Sequence, residues 1–106
     1  MEYSASQAIA LLILCSQQAP IIIDMPTRYE GLKAIIGGSI VEMPLDDDVI
    51  ALCPANFTES ANRVFGDKAI CGSKFLVVAK SAFGYEGLNA HQLNHYMELF
   101  EREESL

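Results

Sequence analysis

Two histidines and a glutamate near the C-terminus have the spacing of metal ligands on one face of a helix. His91 and His95 are four residues apart, and Glu98 follows three residues later. Zinc accepts imidazole nitrogens and carboxylate oxygens, but a zinc site needs further strong ligands, and no cysteine lies nearby. We therefore interpret the three residues as a solvated helix face and expect neither a metal nor another cofactor.

The chain contains three cysteines, Cys15, Cys53 and Cys71, with no C-x-x-C pair. An odd, sparse set of cysteines does not build a disulfide framework. A nucleophilic cysteine needs a basic neighbour or a helix N-terminus, and the sequence supplies neither. We interpret the cysteines as reduced, buried residues of a cytoplasmic protein and predict that the protein is not an enzyme.

Acidic residues outnumber basic ones by 14 to 7, which gives a net charge of −7. This charge argues against direct binding to nucleic acid or to an anionic membrane. If the last helix packs near the Asp46–Asp48 turn, several acids would form one patch for a basic partner protein. The predicted patch consists of Glu42, Asp46, Asp47, Asp48, Glu98 and Glu101. The alternative is a surface that only keeps the protein soluble.

Arg63, beside Asn62, is a basic residue within an acidic middle segment. Its guanidinium, together with loop N–H groups, could bind a phosphate or a carboxylate. Asn62 and Arg63, with loop 81–88, are therefore a candidate ligand site. The alternative is an ion pair or a cap within the chain.

The length of 106 residues predicts a single domain, 1–106. A central unit begins at Tyr29 as a short helix, ends at Gly37-Gly38, and continues as a strand closed by Pro44. Asn89 and Gln92 have the spacing of a capping box at the start of the last helix. The predicted helices are 4–17, 29–36 and 89–100, and the predicted strands are 21–25, 39–43, 49–53 and 73–80.

The first predicted helix, 4–17, is apolar on all sides between Ile9 and Cys15. Such a helix is buried on more than one side, so it either lies beneath the sheet or meets a second copy in a homodimer. It is too short to span a bilayer, and we identify no targeting segment.

The remaining segments are less regular, with one helical turn predicted at 60–65, a short extended piece at 68–71 and a loop at 81–88. Short connections between strands favour antiparallel pairing. We predict an α+β fold, with a small, mostly antiparallel sheet of about four strands and helices packed on one face.

Several short motifs follow one another along the chain: Ile36-Gly37-Gly38, Glu42, Asn62-Arg63, the turn 70–72 and the final helical segment 88–100. In this order they resemble a family of short proteins of unknown function from phages, plasmids and other mobile elements. The match covers about residues 20–101. The chain differs from the family in its N-terminal helix and in the loop before Asn62.

The resemblance implies a mobile-element origin but supplies no activity, and small acidic phage proteins often block a host protein. We therefore predict a non-enzymatic acidic binding module that acts in the host cytoplasm. It would inhibit or modulate a host protein, such as a nucleic-acid-handling defence complex of the CRISPR or restriction kind. The alternative is a protein that binds or sequesters a small ligand such as a nucleotide.

Overall fold

The computed structural model describes residues 8–15, 17–26, 28–55, 61–65, 68–71 and 73–101. The strands in this part are Ile9–Leu14 (β1), Ile21–Asp24 (β2), Ile40–Pro44 (β3), Val49–Pro54 (β4), Ala61–Phe65 (β5), Lys68–Cys71 (β6), Lys74–Ser81 (β7) and Gly84–Glu86 (β8). The helices are Tyr29–Ile36 (α1) and Ala90–Phe100 (α2). Within the described ranges, neither helix has the length and apolarity needed to cross a membrane.

Six strands form one antiparallel sheet around β7, in the order β2-β1-β7-β4-β3 with β8 paired to the end of β7. Ala79 of β7 pairs with Val49 of β4 on one side and with Glu86 of β8 on the other. Strand β8 therefore lies on the same side of β7 as β1. Strands β5 and β6 form a separate antiparallel pair.

Alternate residues of the central strands β1, β7 and β4 enter two different apolar clusters. Phe75 and Val77 lie in one cluster with Tyr96 and Phe100 of α2, and Ile70 of β6 joins them. Leu76, Val78 and Leu52 lie in the other cluster with Leu32 and Ile36 of α1. Because neighbouring residues of a strand point to opposite faces, α2 covers one face of the sheet and α1 covers the other.

Local signals set the ends of both helices as the sequence predicts. Gly37 has φ +96°, and its N–H donates to the carbonyl of Lys33, so the left-handed conformation that glycine tolerates ends α1. At the start of α2, the Asn89 side chain accepts from the Gln92 N–H at 2.8 Å. The Gln92 side chain accepts from the Asn89 N–H at 2.9 Å and completes the capping box.

The predicted helix 4–17 is wrong over its described residues, because Ile9–Leu14 is strand β1, between β2 and β7. A segment that is apolar on all sides fits a strand covered on both faces as well as a buried helix. Most of its side chains are buried within the fold, so the apolar character of this segment does not require a second copy. Residues 1–7 and Ser16 lie outside the described part.

Four further expectations need correction, although the α+β fold and the antiparallel pairing are confirmed. Residues 61–65 form strand β5, not a helical turn, and loop 81–88 contains strand β8. Within the described residues the main sheet has six strands, whereas about four were predicted. The helices cover opposite faces, because both faces of the central strands are apolar and each needs a cover.

We expect Asn89→Ala to lower the free energy of unfolding by about 1 kcal/mol, because the N–H of Gln92 loses its side-chain acceptor. Asn89→Ser should keep most of that stability, since a serine hydroxyl can accept at the same position. Urea unfolding followed by circular dichroism measures both values. Equal destabilisation by alanine and serine would contradict the capping role.

Candidate functional site

A pocket of about 340 Å³ lies where the β3–β4 turn meets the first half of α2. Turn and helix are in direct contact, because the Gln92 side-chain amide donates to the carboxylate of Asp48 at 3.3 Å. The pocket is lined by Asp46, Asp48, Val49, Asn89, His91, Gln92, His95 and Tyr96. The sequence predicts these residues in a turn, a strand, a helix cap and a helix, and the fold brings them together.

The β3–β4 turn is held by main-chain hydrogen bonds that turn its acidic side chains outward. The N–H groups of Leu45 and Asp46 both donate to the carbonyl of Val49, at 2.9 and 3.0 Å. The Asp46 carboxylate accepts the N–H of the next residue, Asp47, at 2.8 Å. Leu45 is buried, whereas Asp46, Asp47 and Asp48 are exposed. The turn therefore concentrates three carboxylates beside the pocket.

The negative charges of this turn affect the pKa of Tyr96, which lines the pocket. Burial raises the pKa of the Tyr96 phenol, and the charges of Asp46 and Asp48 raise this pKa further. The ring of Tyr96 stacks on Phe100 and meets His95 edge to face, with ring centroids 4.8 Å apart in the second pair. The pocket thus combines carboxylates, imidazoles and a neutral phenol, a set of groups suited to a cation that donates hydrogen bonds.

The predicted acidic patch is only partly assembled. Asp46 and Asp48 line the pocket, and Glu98 follows His91 and His95 along α2, exposed to solvent. Glu101 is exposed at the end of the helix, about 14 Å from Gln92 along the axis at 1.5 Å per residue. We call the exposed acids of the turn and the helix the acidic surface: Asp46, Asp47, Asp48, Glu98 and Glu101.

Glu42 does not belong to the acidic surface, and the expectation that it joins the patch is wrong. Glu42 pairs with Leu52, so its side chain lies on the face covered by α1, whereas the pocket lies beside α2. There it accepts from Lys80 Nζ at 2.7 Å and from the Tyr85 hydroxyl. The hydrogen bonds from Lys80 and Tyr85 lower the pKa of Glu42. Because the pair with Lys80 is half-exposed, we expect it to contribute less than about 1 kcal/mol.

Arg63, the centre of the predicted ligand site, is only 7% exposed and binds main-chain carbonyls. Its Nε donates to the carbonyl of Phe100 at 2.7 Å, and Nη2 donates to those of Gln17 and Gln18 at 2.7 and 3.0 Å. The last carbonyls of a helix lack partners within the helix, so Arg63 caps α2 and ties it to the β1–β2 turn. These contacts favour the structural alternative. The side chain of Asn62 lies outside the described part.

In the described part of the chain, the other candidate catalytic and metal-binding residues do not assemble into a site. Cys53 is buried in the cluster on the α2 face, and no cysteine is among the described residues that line the pocket. Among the residues that the structure describes, no three or more histidine, cysteine or acidic side chains are close enough to hold a metal ion. Sequence reasoning missed Tyr96 and Gln92 as pocket residues. The capping role of Gln92 was predicted, but the position of both residues next to Asp48 depends on contacts between distant segments.

The fold and the pocket define a class: a small α+β protein whose six-stranded antiparallel sheet carries an acidic pocket at one end of a covering helix. Comparison of the chain with known protein families, curated proteins and solved structures found no match. Function is therefore argued from the chemistry of the site, since a fold by itself does not imply one.

Arg63→Met should lower the free energy of unfolding by about 2–3 kcal/mol, because three carbonyls lose a charged donor and one of them is buried. Arg28→Met, at an exposed position whose side chain makes no capping bond, should change stability by less than about 0.5 kcal/mol. Urea unfolding of both variants gives the comparison. If the two losses were equal, Arg63 would not have the structural role that we assign to it.

The phenol of Tyr85 should titrate at a higher pH than the phenols of exposed tyrosines. Burial, followed by the hydrogen bond to Glu42, raises the pKa of Tyr85 to about 12. Glu42→Gln should lower this pKa, whereas Glu98→Gln removes the same charge elsewhere and should leave it unchanged. Absorbance at 295 nm during alkaline titration, with Tyr85→Phe as the difference reference, measures the shift.

The same shift has a consequence for stability. A tyrosine with a raised pKa stabilises the folded state at pH values below the unfolded pKa of about 10. That contribution is lost as the pH rises through the folded pKa. Stability should therefore fall between pH 10 and pH 12, and it should fall less in Glu42→Gln. An unchanged pH dependence in that variant would contradict the interaction.

Proposed function

We propose that the protein is a non-enzymatic binding module that engages a basic surface of a host protein through its acidic surface. The observation that carries the proposal is the exposed turn Asp46–Asp48 beside a concave pocket of about 340 Å³. The ion pair between Lys80 and Glu42 lies on the other face of the sheet, away from the turn. Because the side chains of Asp46, Asp47 and Asp48 are exposed, the turn presents its negative charge to solvent, where a partner can reach it.

The pocket suits a lysine or arginine side chain of the partner. Asp46 and Asp48 supply acceptor oxygens at its rim, and Val49 and Tyr96 supply buried apolar surface. An arginine in such a place forms charge-assisted hydrogen bonds with carboxylates and stacks its planar group on an aromatic ring. Glu98 and Glu101 extend the negative charge along α2 and would speed the encounter with a positively charged partner.

Proteins that handle nucleic acids carry basic grooves for phosphates, and a small protein with a row of carboxylates can occupy such a groove. Together with the net charge of −7, the resemblance to phage and mobile-element proteins supports an inhibitor of a host defence complex of the CRISPR or restriction kind. Such an inhibitor would act in the host cytoplasm. Nucleotide binding at Arg63 receives no support from the geometry, because main-chain carbonyls accept from its Nε and Nη2.

A pull-down from a host lysate tests the proposal, with tagged wild-type protein as bait and mass spectrometry of the captured proteins. We expect wild-type protein to retain one basic protein in stoichiometric amount and to release it at high salt, which screens exposed charges. The double variant Asp46→Asn/Asp48→Asn should retain about tenfold less of it.

Glu30→Gln/Glu42→Gln is the matched control, because it removes the same number of negative charges away from the pocket and should retain wild-type amounts. Equal losses in both double variants would assign binding to net charge and not to the pocket. Failure of the wild-type protein to capture any protein at low salt would overturn the proposed function.

A further inference from the structure

The outer edge of β2 presents main-chain groups that no described strand pairs with. Strand β2 lies at one end of the sheet, and its one partner among the described strands is β1. The N–H of Met25 donates to the carbonyl of Ala8 at 2.8 Å, which continues the β1–β2 register. In an antiparallel pair, hydrogen-bonded positions alternate with positions that face away. Ile21 and Ile23 therefore bond to β1, and the N–H and C=O groups of Ile22 and Asp24 point outward.

Pairing on the other side of β1 supports this assignment. The N–H of Cys15 donates to the carbonyl of Ser73 at 2.9 Å, in register with the β1–β7 ladder. Odd-numbered residues of β1 thus bond to β7, which leaves the even-numbered ones for β2. The open edge also carries apolar side chains, because Ile21 and Ile22 are 38% and 43% exposed. An open edge of this kind is a template for another strand.

The opposite edge of the sheet, β3, is protected. The N–H of Ala55 donates to the carbonyl of Ser39, so the same alternation makes Ile40, Glu42 and Pro44 face outward. Pro44 has no N–H, and pairing of this edge with its own copy would oppose Glu42 to Glu42. Proline and a central charge are devices that keep edge strands from pairing. Only β2, of the two edges described, is open to a strand.

We propose that β2 pairs antiparallel with β2 of a second copy and joins two sheets across a twofold axis. One register satisfies all the outward groups of the strand: Ile22 opposite Asp24 of the copy, with the two Ile23 residues on the axis. It forms four main-chain hydrogen bonds. A register with Asp24 opposite Asp24 places like charges together, and one with Ile22 opposite Ile22 leaves the carbonyl of Asp24 unpaired.

Side chains in this register complement each other. The two Ile23 side chains meet on the α1 face, and Ile21 lies next to Met25 of the copy. On the α2 face, Ile22 lies beside Asp24 of the copy and diagonal to its Ile22, within reach of cross-strand contacts. The interface is self-complementary, as a twofold contact requires. It is separate from the acidic surface and does not rest on the proposed function.

Sedimentation velocity of the whole chain over a wide concentration range tests the proposal. We expect wild-type protein to sediment as a dimer at high concentration and as a monomer after dilution. Ile22→Glu places two carboxylates side by side twice per dimer and should raise the dissociation constant about tenfold or more. Ile22→Glu/Asp24→Lys places opposite charges side by side in the same register and should restore the dimer.

Val41→Glu is the matched control, because Val41 is 47% exposed on the protected edge strand β3 and should leave the dimer intact. Amide exchange of the wild-type protein by NMR gives a second measurement that needs no variant. The amides of Ile22 and Asp24 should exchange more slowly at high concentration, and those of Ile40 and Glu42 should not.

Three results would each overturn the proposal: a wild-type monomer at all concentrations, equal weakening by Ile22→Glu and Val41→Glu, or no recovery on adding Asp24→Lys. Circular dichroism of each variant separates loss of the dimer from loss of the fold. These measurements need no partner protein, so a failure of the pull-down would not affect the test of the dimer.

Discussion

The structure depends on the burial of both faces of the central strands β1, β7 and β4. Phe75 and Leu76 are adjacent in β7, point to opposite faces, and are both fully buried. Each such side chain stabilises the fold by about 1.5–3 kcal/mol when it leaves water, so neither face can stay uncovered. Helix α2 has to place Tyr96 and Phe100 on one face, and this requirement brings its first turn to the β3–β4 turn. The position of the pocket follows from the packing of the core.

The charged residues divide into those used inside the fold and those left to solvent. Arg63 is buried because the carbonyls of Phe100, Gln17 and Gln18 satisfy its donors, and it connects β5 to two distant segments. Glu42 accepts from Lys80 and Tyr85, whereas the acidic surface around Asp46 to Asp48 is exposed. Residues of the same type thus have different roles, which depend on the face and the end of the sheet where the topology places them.

Dimerisation through β2 and binding of a partner at the acidic surface are compatible, because they use opposite edges of the sheet. Strand β3, with Glu42 and Pro44, ends the sheet on the side that carries the β3–β4 turn, and β2 ends it on the other side. A dimer formed through β2 would leave the acidic surface of each copy open to a partner. It would present two such surfaces, and a host assembly with repeated basic sites would then be bound more tightly than by one copy.

Local sequence determined the features that depend on neighbouring residues: the end of α1 at Gly37, the capping box of Asn89 and Gln92, the acidic turn and the strands 49–53 and 73–80. It also determined the antiparallel α+β class, since short connections leave little choice. It did not distinguish a strand from a helix at Ile9–Leu14, because a segment apolar on all sides fits either one. The face of each helix, the separation of Glu42 from Asp48 and the capping of α2 by Arg63 were decided by tertiary structure. Each of these depends on strand register or on contacts between residues more than thirty positions apart, and no local pattern encodes such contacts.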